Sequence, residues 1–119
     1  MRSILENIYL FKTGFIENYG RKKYDQISSK VYSSSKIAKL ISASNIKLIA
    51  PNKNDFLYAL NETIYFIFSK PDTLAMGSIL AFELWHKTLN ADYSYLNEVE
   101  LNIVFEGIIE ECEKMKLRK

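Results

Sequence analysis

The sequence predicts an all-α protein: a single compact bundle of about six helices around an apolar helical hairpin at residues 54–89. Three observations predict it. Apolar residues recur at steps of three and four in every long segment, the period of one helix face and not the alternation of a strand. Cap-forming Ser, Asn and Asp stand where those segments begin, and their side chains satisfy the free N–H groups of a first turn. Pro71 divides the most apolar part of the chain into two arms, because it lacks an N–H and restricts Lys70 before it.

In chain order, Ser3-x-x-Glu6 has the spacing of a capping box. Ile4, Ile8, Phe11 and Phe15 follow as one stripe. Gly14 weakens this helix modestly, and Gly20 is its expected stop, since glycine takes the left-handed backbone of a helix end. Residues 21–32 are expected to be helical, with Tyr24, Ile27 and Val31 as a thin apolar face. Ser33, Ser34 and Ser35 offer caps for a short third helix carrying Ile37, Leu40 and Ile41. Residues 45–50 read as an extended link ended by Pro51. A lone strand there would have no partner.

The hairpin comes next. Pro51 and the polar residues 52–55 mark its start, and Leu57, Leu60, Ile64, Ile67 and Phe68 share a face. This first arm is expected to stop just before Pro71, and Asp72 suits the start of the second. From Leu74 to Leu89 apolar residues occur almost all the way round. A helix of that kind is enclosed by its neighbours. Only Glu83, His86 and Lys87 make a polar strip on it. Residues 90–96 read as a polar link. Asn97-x-x-Glu100 is a second capping box, and Leu101, Val104, Phe105, Ile108, Cys112 and Met115 form the stripe of a last helix. Lys114, Lys116, Arg118 and Lys119 gather at its end, where positive charge suits the helix dipole.

At 119 residues, 48% hydrophobic and 25% charged, the chain fits one domain over residues 1–119 with a core of its own. Asn61 and Glu62 interrupt the first arm, and each apolar run falls short of the roughly 20 residues that span a bilayer. No membrane partner is expected. The single cysteine, Cys112, falls in an apolar stripe, where a buried reduced thiol is the default. Arg2 followed by Glu6 and Lys12 makes a poor signal peptide, and the cytoplasm is the expected compartment.

Two motifs carry little chemistry. Glu83-x-x-His86 has the spacing of a di-iron carboxylate bundle, but such a site needs two pairs and further glutamates, and the chain has one histidine. Ser33-Ser-Ser-Lys36 matches a Ser-x-x-Lys pattern, yet the other motifs of those enzymes are missing, and helix capping accounts for the serines. No P-loop, dinucleotide fingerprint or Gly-x-Ser-x-Gly elbow is present. No catalytic residue, metal or cofactor is expected.

Charge is the sharper signal. Residues 1–50 carry 9 Lys and Arg against 3 Asp and Glu, a surplus of +6. Residues 51–119 carry 7 against 11, or −4. Between 92 and 113 there are seven acids and no base. Such asymmetry speaks of partners more than of fold. On a helical wheel Glu106, Glu110 and Glu113 cluster opposite the core stripe, with Val99 and Ile103 beside them. The expected partner-binding residues are therefore Asp92, Glu98, Glu100, Ile103, Glu106, Glu110 and Glu113.

In size, helical pattern, lack of a signal peptide and acidity over residues 92–113, the chain resembles bacterial immunity proteins. These neutralise bacteriocins or the toxins of contact-dependent growth inhibition. The resemblance implies a cytoplasmic protein that binds one cognate toxin domain, often a basic nuclease, and blocks its active site. The alternative is a small nucleic-acid-binding regulator. Arg21, Lys22, Lys23, Lys30, Lys36 and Lys39 are interleaved with Tyr19, Tyr24 and Tyr32, and segment 26–41 faintly resembles a helix-turn-helix. Tyr32 stands where that turn usually has glycine and Ser33 where an apolar residue belongs. Nucleic acid is for that reason not the expected partner, and any binding is expected to be non-specific and salt-sensitive.

Overall fold

A computed structural model describes residues 2–42, 53–88 and 97–117. Helix fills 88% of the structure in six segments, and no strand occurs among the described residues. The helices are α1 (Ile4–Tyr19), α2 (Arg21–Ser33), α3 (Ser35–Ile41), α4 (Lys53–Tyr65), α5 (Pro71–Thr88) and α6 (Glu98–Leu117). The radius of gyration is 13.4 Å, close to the ~13.5 Å expected of one folded unit of this length. The links expected at 45–50 and 90–96 lie outside the described residues.

The bundle is organised around α5, the second arm of the expected hairpin. It touches each of the other five helices. Leu74, Met76, Ile79, Leu80, Phe82 and Trp85 are all buried, and together they cover more than one side of the helix. Trp85 has no exposed surface. Truncating a side chain of that size in a closed site costs about 3–5 kcal/mol. The first arm, α4, is peripheral. It buries Leu60 and Ile64 but leaves Tyr58 and Tyr65 in solvent.

The caps at Ser3, Gly20, Ser34 and Asn97 form where the sequence places them, with one change of partner, and the start expected from Pro51 and Asn52 lies outside the described residues. The Ser3 oxygen accepts from the Glu6 N–H at 3.2 Å, but its own hydroxyl, not its backbone N–H, meets the Glu6 carboxylate. Gly20 has φ +94° and its N–H donates to the Ile16 carbonyl, so glycine is what lets α1 end and α2 begin without a linker. Ser34 accepts from the Ile37 N–H at 3.2 Å and opens α3. Asn97 and Glu100 complete a reciprocal box at 2.9 and 3.4 Å.

The hairpin turn departs from expectation. Helix α4 stops at Tyr65, well before Pro71. The Ile64 carbonyl accepts from both Ile67 N–H (2.9 Å) and Phe68 N–H (3.0 Å), and the chain then leaves the helix. The reason lies across the core. Phe68 turns inward and lies against Gly77 of α5, so closely that a Cβ there would stand 2.3 Å from Phe68 Cε2. Lys70 then serves as the start of α5: its carbonyl accepts from the Leu74 N–H and the Thr73 hydroxyl, both at 2.9 Å. Phe66 is left 73% exposed by the same turn.

Helices α1 and α6 run parallel. Glu98 accepts from the Ile4 N–H, the Asn7 amide donates to Asn102, and Phe11 meets Phe105 edge-on at 6.1 Å. Asn102 is buried, but its amide donates to the Arg2 and Glu98 carbonyls, so this polar group is satisfied. Cys112 is buried on the core face of α6. Among the described residues no helix is long and apolar enough to cross a membrane.

The Phe68–Gly77 contact yields a test. Gly77→Ala should destabilise the protein by about 1–3 kcal/mol, the usual cost of overpacking a closed core. Adding Phe68→Leu should recover part of that loss, since the branched side chain can withdraw from the new methyl. Urea unfolding of the two variants checks both.

Candidate functional site

Helix α6 has three packed sides and one open one. One, carrying Glu98, Asn102 and Phe105, faces α1. Another packs on the core through Leu101, Val104, Ile108 and Cys112. Gly107 lies against Leu57 of α4, where a Cβ would come within 3.1 Å. Between the α1 side and the α4 side an open stripe remains. Val99, Ile103, Glu106, Glu110 and Glu113 follow each other at steps of four, three, four and three, and all are exposed. Val99 is 50% and Ile103 43% exposed. The stripe is apolar in its first half and acidic in its second.

The structure sorts the sequence-predicted partner residues. Ile103, Glu106, Glu110 and Glu113 come together on this stripe. Glu98 and Glu100 do not. Glu98 is turned to the N-terminus of α1, and Glu100 closes its own helix start. Carboxylates at such positions satisfy free N–H groups and the positive end of the dipole. Asp92 lies outside the described residues. Lys114 bonds Glu111 at 3.3 Å and stands 3.7 Å from Glu110, but these pairs are largely exposed and contribute under about 1 kcal/mol.

The acidic end of the stripe meets a cleft of about 340 Å³ between α1, α5 and α6. Leu10, Phe11, Phe15 and Ile109 form its apolar lining, and Asp72 and Glu113 supply two carboxylates with no Lys or Arg among the lining residues. Gly14 opens it, since nothing stands within 4 Å of where its Cβ would be.

The expected polar strip on α5 runs from buried to exposed: Lys87 is in solvent, His86 is half-buried and Glu83 faces inward. Glu83 is 7% exposed. Both of its oxygens accept from the Lys12 ammonium at 3.2 Å, and the Tyr32 hydroxyl donates to one of them at 3.4 Å. This ties α1, α2 and α5 together. Burial alone would lower the Lys12 pKa, but hydrogen bonding and charge from Glu83, with Tyr24 beside it, outweigh burial and hold it above its ordinary value. Burial, then the Glu83 charge, raises Tyr32. His86 is half-buried, and desolvation holds it below its ordinary value against the pull of Glu98 and Glu83, with Lys87 adding to the lowering. The Glu83 carboxylate is thus committed to an ammonium. Among the described residues no three His, Cys, Asp or Glu side chains converge on one point.

Segment 26–41 forms two helices joined by the single residue Ser34, where a helix-turn-helix has a turn of three or four residues. Helix α3 has only 7 residues and buries Ile37, Leu40 and Ile41. Lys36 and Lys39 are exposed on it. No family model, curated protein or solved structure matches this chain.

Sequence reasoning missed the Lys12–Glu83 pair, whose partners lie 71 positions apart and carry no local signal. It also missed the exposed aromatics of α4. That signal was present: Tyr58 and Tyr65 fall seven apart, on the side opposite Leu60 and Ile64.

Two outcomes follow from this cluster. Lys12→Met should cost about 2–3 kcal/mol, near the lower end for stripping one partner from a buried pair, because Lys12 keeps some contact with water. The double variant Lys12→Met with Glu83→Leu should recover most of it, as measured by urea unfolding. For His86, the folded pKa lies below the unfolded value of 6.5. The unfolded chain then binds the proton more readily, so stability falls as pH drops below about 6.5. His86→Gln should flatten the urea midpoint against pH just below that value.

Proposed function

We propose that this chain is a non-catalytic binding protein of the immunity type, acting in the cytoplasm on a basic toxin domain, a nuclease being the best fit. The observation that supports it is the open stripe of α6. Glu106, Glu110 and Glu113 are exposed, contribute nothing to the core, and stand at spacings that make neighbouring like charges repel. Among the described ion pairs, Lys114 relieves the C-terminal part of that repulsion. A partner that supplies Lys and Arg offsets the rest.

The physics of such a complex is simple. A nuclease presents cations where nucleic-acid phosphates bind. A row of carboxylates occupies the same positions, and opposite charge raises the encounter rate. Val99 and Ile103 provide apolar area at one end of the row, as interfaces combine apolar contact with a charged surround. The cleft rimmed by Asp72 and Glu113 suits the stem and charged head of a long basic side chain.

The test is a triple reversal, Glu106→Lys, Glu110→Lys and Glu113→Lys. The variant should stay folded, because none of the three faces the core. A basic protein retained by the wild type from its native cell, then purified, should bind the variant more slowly and more weakly, with the greatest loss at low salt. Ile103→Asp should weaken the same complex. Equal binding by the triple variant would leave the stripe an ordinary solvated face.

A further inference from the structure

The opposite charge collects on another face, around the turn at residues 66–70. Helix α4 ends there with large rings in solvent: Tyr58 is 71%, Tyr65 61% and Phe66 73% exposed. Tyr58 and Tyr65 lie two turns apart on one side of the helix, and Phe66 follows directly. Monomeric proteins seldom leave rings of this size uncovered together without a use for them.

Two clefts flank the turn. The first, of about 560 Å³, is mostly apolar, with Leu40, Ala59 and Phe66 in its lining and Lys36, Lys39 and Glu62 at its polar edge. The Lys36 ammonium lies 5.2 Å from the centre of the Phe66 ring. The second, of about 250 Å³, takes Lys23 and Lys30 from α2 and Lys70 from the turn, with no carboxylate in its lining. Gln26, Ser69 and Thr73 add neutral polar groups, and Ile27, Ile67 and Phe68 an apolar floor. The Lys30 ammonium stands 5.8 Å from the Phe68 ring.

We infer that this face binds single-stranded nucleic acid, stacking a base on Phe66 beside Lys36 while Lys23, Lys30 and Lys70 hold backbone phosphate. The pairing of bare rings with convergent ammonium groups is what a single strand needs. Its bases have free faces to stack and its phosphates follow at short intervals. A duplex keeps its base faces closed, so Tyr65 and Phe66 would gain nothing from it. An acidic peptide would satisfy the lysines but leave the rings uncovered. The three lysines repel one another around a cleft that no acid lines, and a phosphodiester relieves that repulsion. This reading is independent of the acidic stripe on α6 and needs no helix-turn-helix.

The experiment is fluorescence anisotropy with three anionic probes: a 12-nucleotide oligothymidylate, a duplex of the same length, whose charge is about double, and a polyglutamate peptide matched in charge to the single strand. The single strand should bind at least about ten-fold tighter than the other two, as one or two stacked bases would give. Its log affinity should fall with log salt at a slope of about −2, the value for three neutralised phosphates on a single strand. Phe66→Ala and Phe66→Leu should each weaken the single strand by about ten-fold and leave the slope unchanged. Lys30→Gln with Lys70→Gln should reduce the slope. The triple reversal on α6 should retain the full difference among the probes. Circular dichroism verifies that each variant is folded, which the exposure of Phe66 favours. The inference is overturned if the duplex or the polyglutamate binds as tightly as the single strand, if nothing binds, or if both Phe66 variants bind like the wild type.

Discussion

Helix α5 has no wet side through most of its length, and the rest of the molecule follows from that. Ten of its 18 residues are buried. Apolar surface of this extent is stable only when neighbours close on it from every direction. The five other helices do so. The one charge that α5 carries inward, Glu83, then needs a counter-charge inside the same enclosure. Lys12 supplies it from α1 and Tyr32 adds a hydroxyl from α2. The pair thereby sets how α1 and α2 lie on α5. Removing charge from both sides would be tolerated, whereas removing it from one would strand the other.

Local signals were legible because they act locally. Ser34 and Asn97 cap the helices that their positions announce. Gly20 takes the backbone only glycine takes easily. The buried stripes Ile4, Ile8, Phe15 and Leu101, Val104, Ile108 follow the three-to-four period. What the sequence hid depends on meetings far along the chain. Nothing near Phe68 says that Gly77 has left room for its ring, and so nothing near Tyr65 says that α4 must end there. Nothing near Glu83 says that Lys12 awaits it. The candidate site was legible in part for the same reason. The wheel places Glu106, Glu110 and Glu113 outside, but only the arrangement of α1 against α6 turns Glu98 away to cap Ile4.

The fold converts a charge asymmetry along the chain into one across the surface. The acids of α6 share a stripe and meet Asp72 at one cleft. The lysines of α2 and α3 line two others with the turn at 66–70. None of the described ion pairs joins the acidic cleft to the basic ones. Arg21–Asp25 and Lys114 with its glutamates are exposed local pairs, and the one long-range pair in which a carboxylate is buried is Lys12–Glu83 among the described ion pairs. A protein that needed its surface charge for stability would interleave the signs. Here the signs are largely kept apart, Glu62 beside Lys36 and Lys39 being the exception among the residues that line these clefts, which costs a little self-repulsion on each face and leaves each with one predominant sign.

The start of α5 contributes to both faces. Asp72 lines the acidic cleft and its neighbours Lys70 and Thr73 line the basic one. Both clefts are therefore anchored to the most enclosed helix of the bundle. Their side chains project from rigid backbone, while their tips remain in solvent. That division explains why surface and core can be probed separately. Phe66 points out and Phe68, two residues on, packs against Gly77. A change at the first alters only the exposed surface of the turn, and a change at the second alters how the turn is held. The same separation holds on α6, where Ile103 is exposed and Val104, the next residue, is buried. Exposed surface and core are laid on alternate sides of the same elements, so the packing that holds one face does not compete with the other for the same side chains.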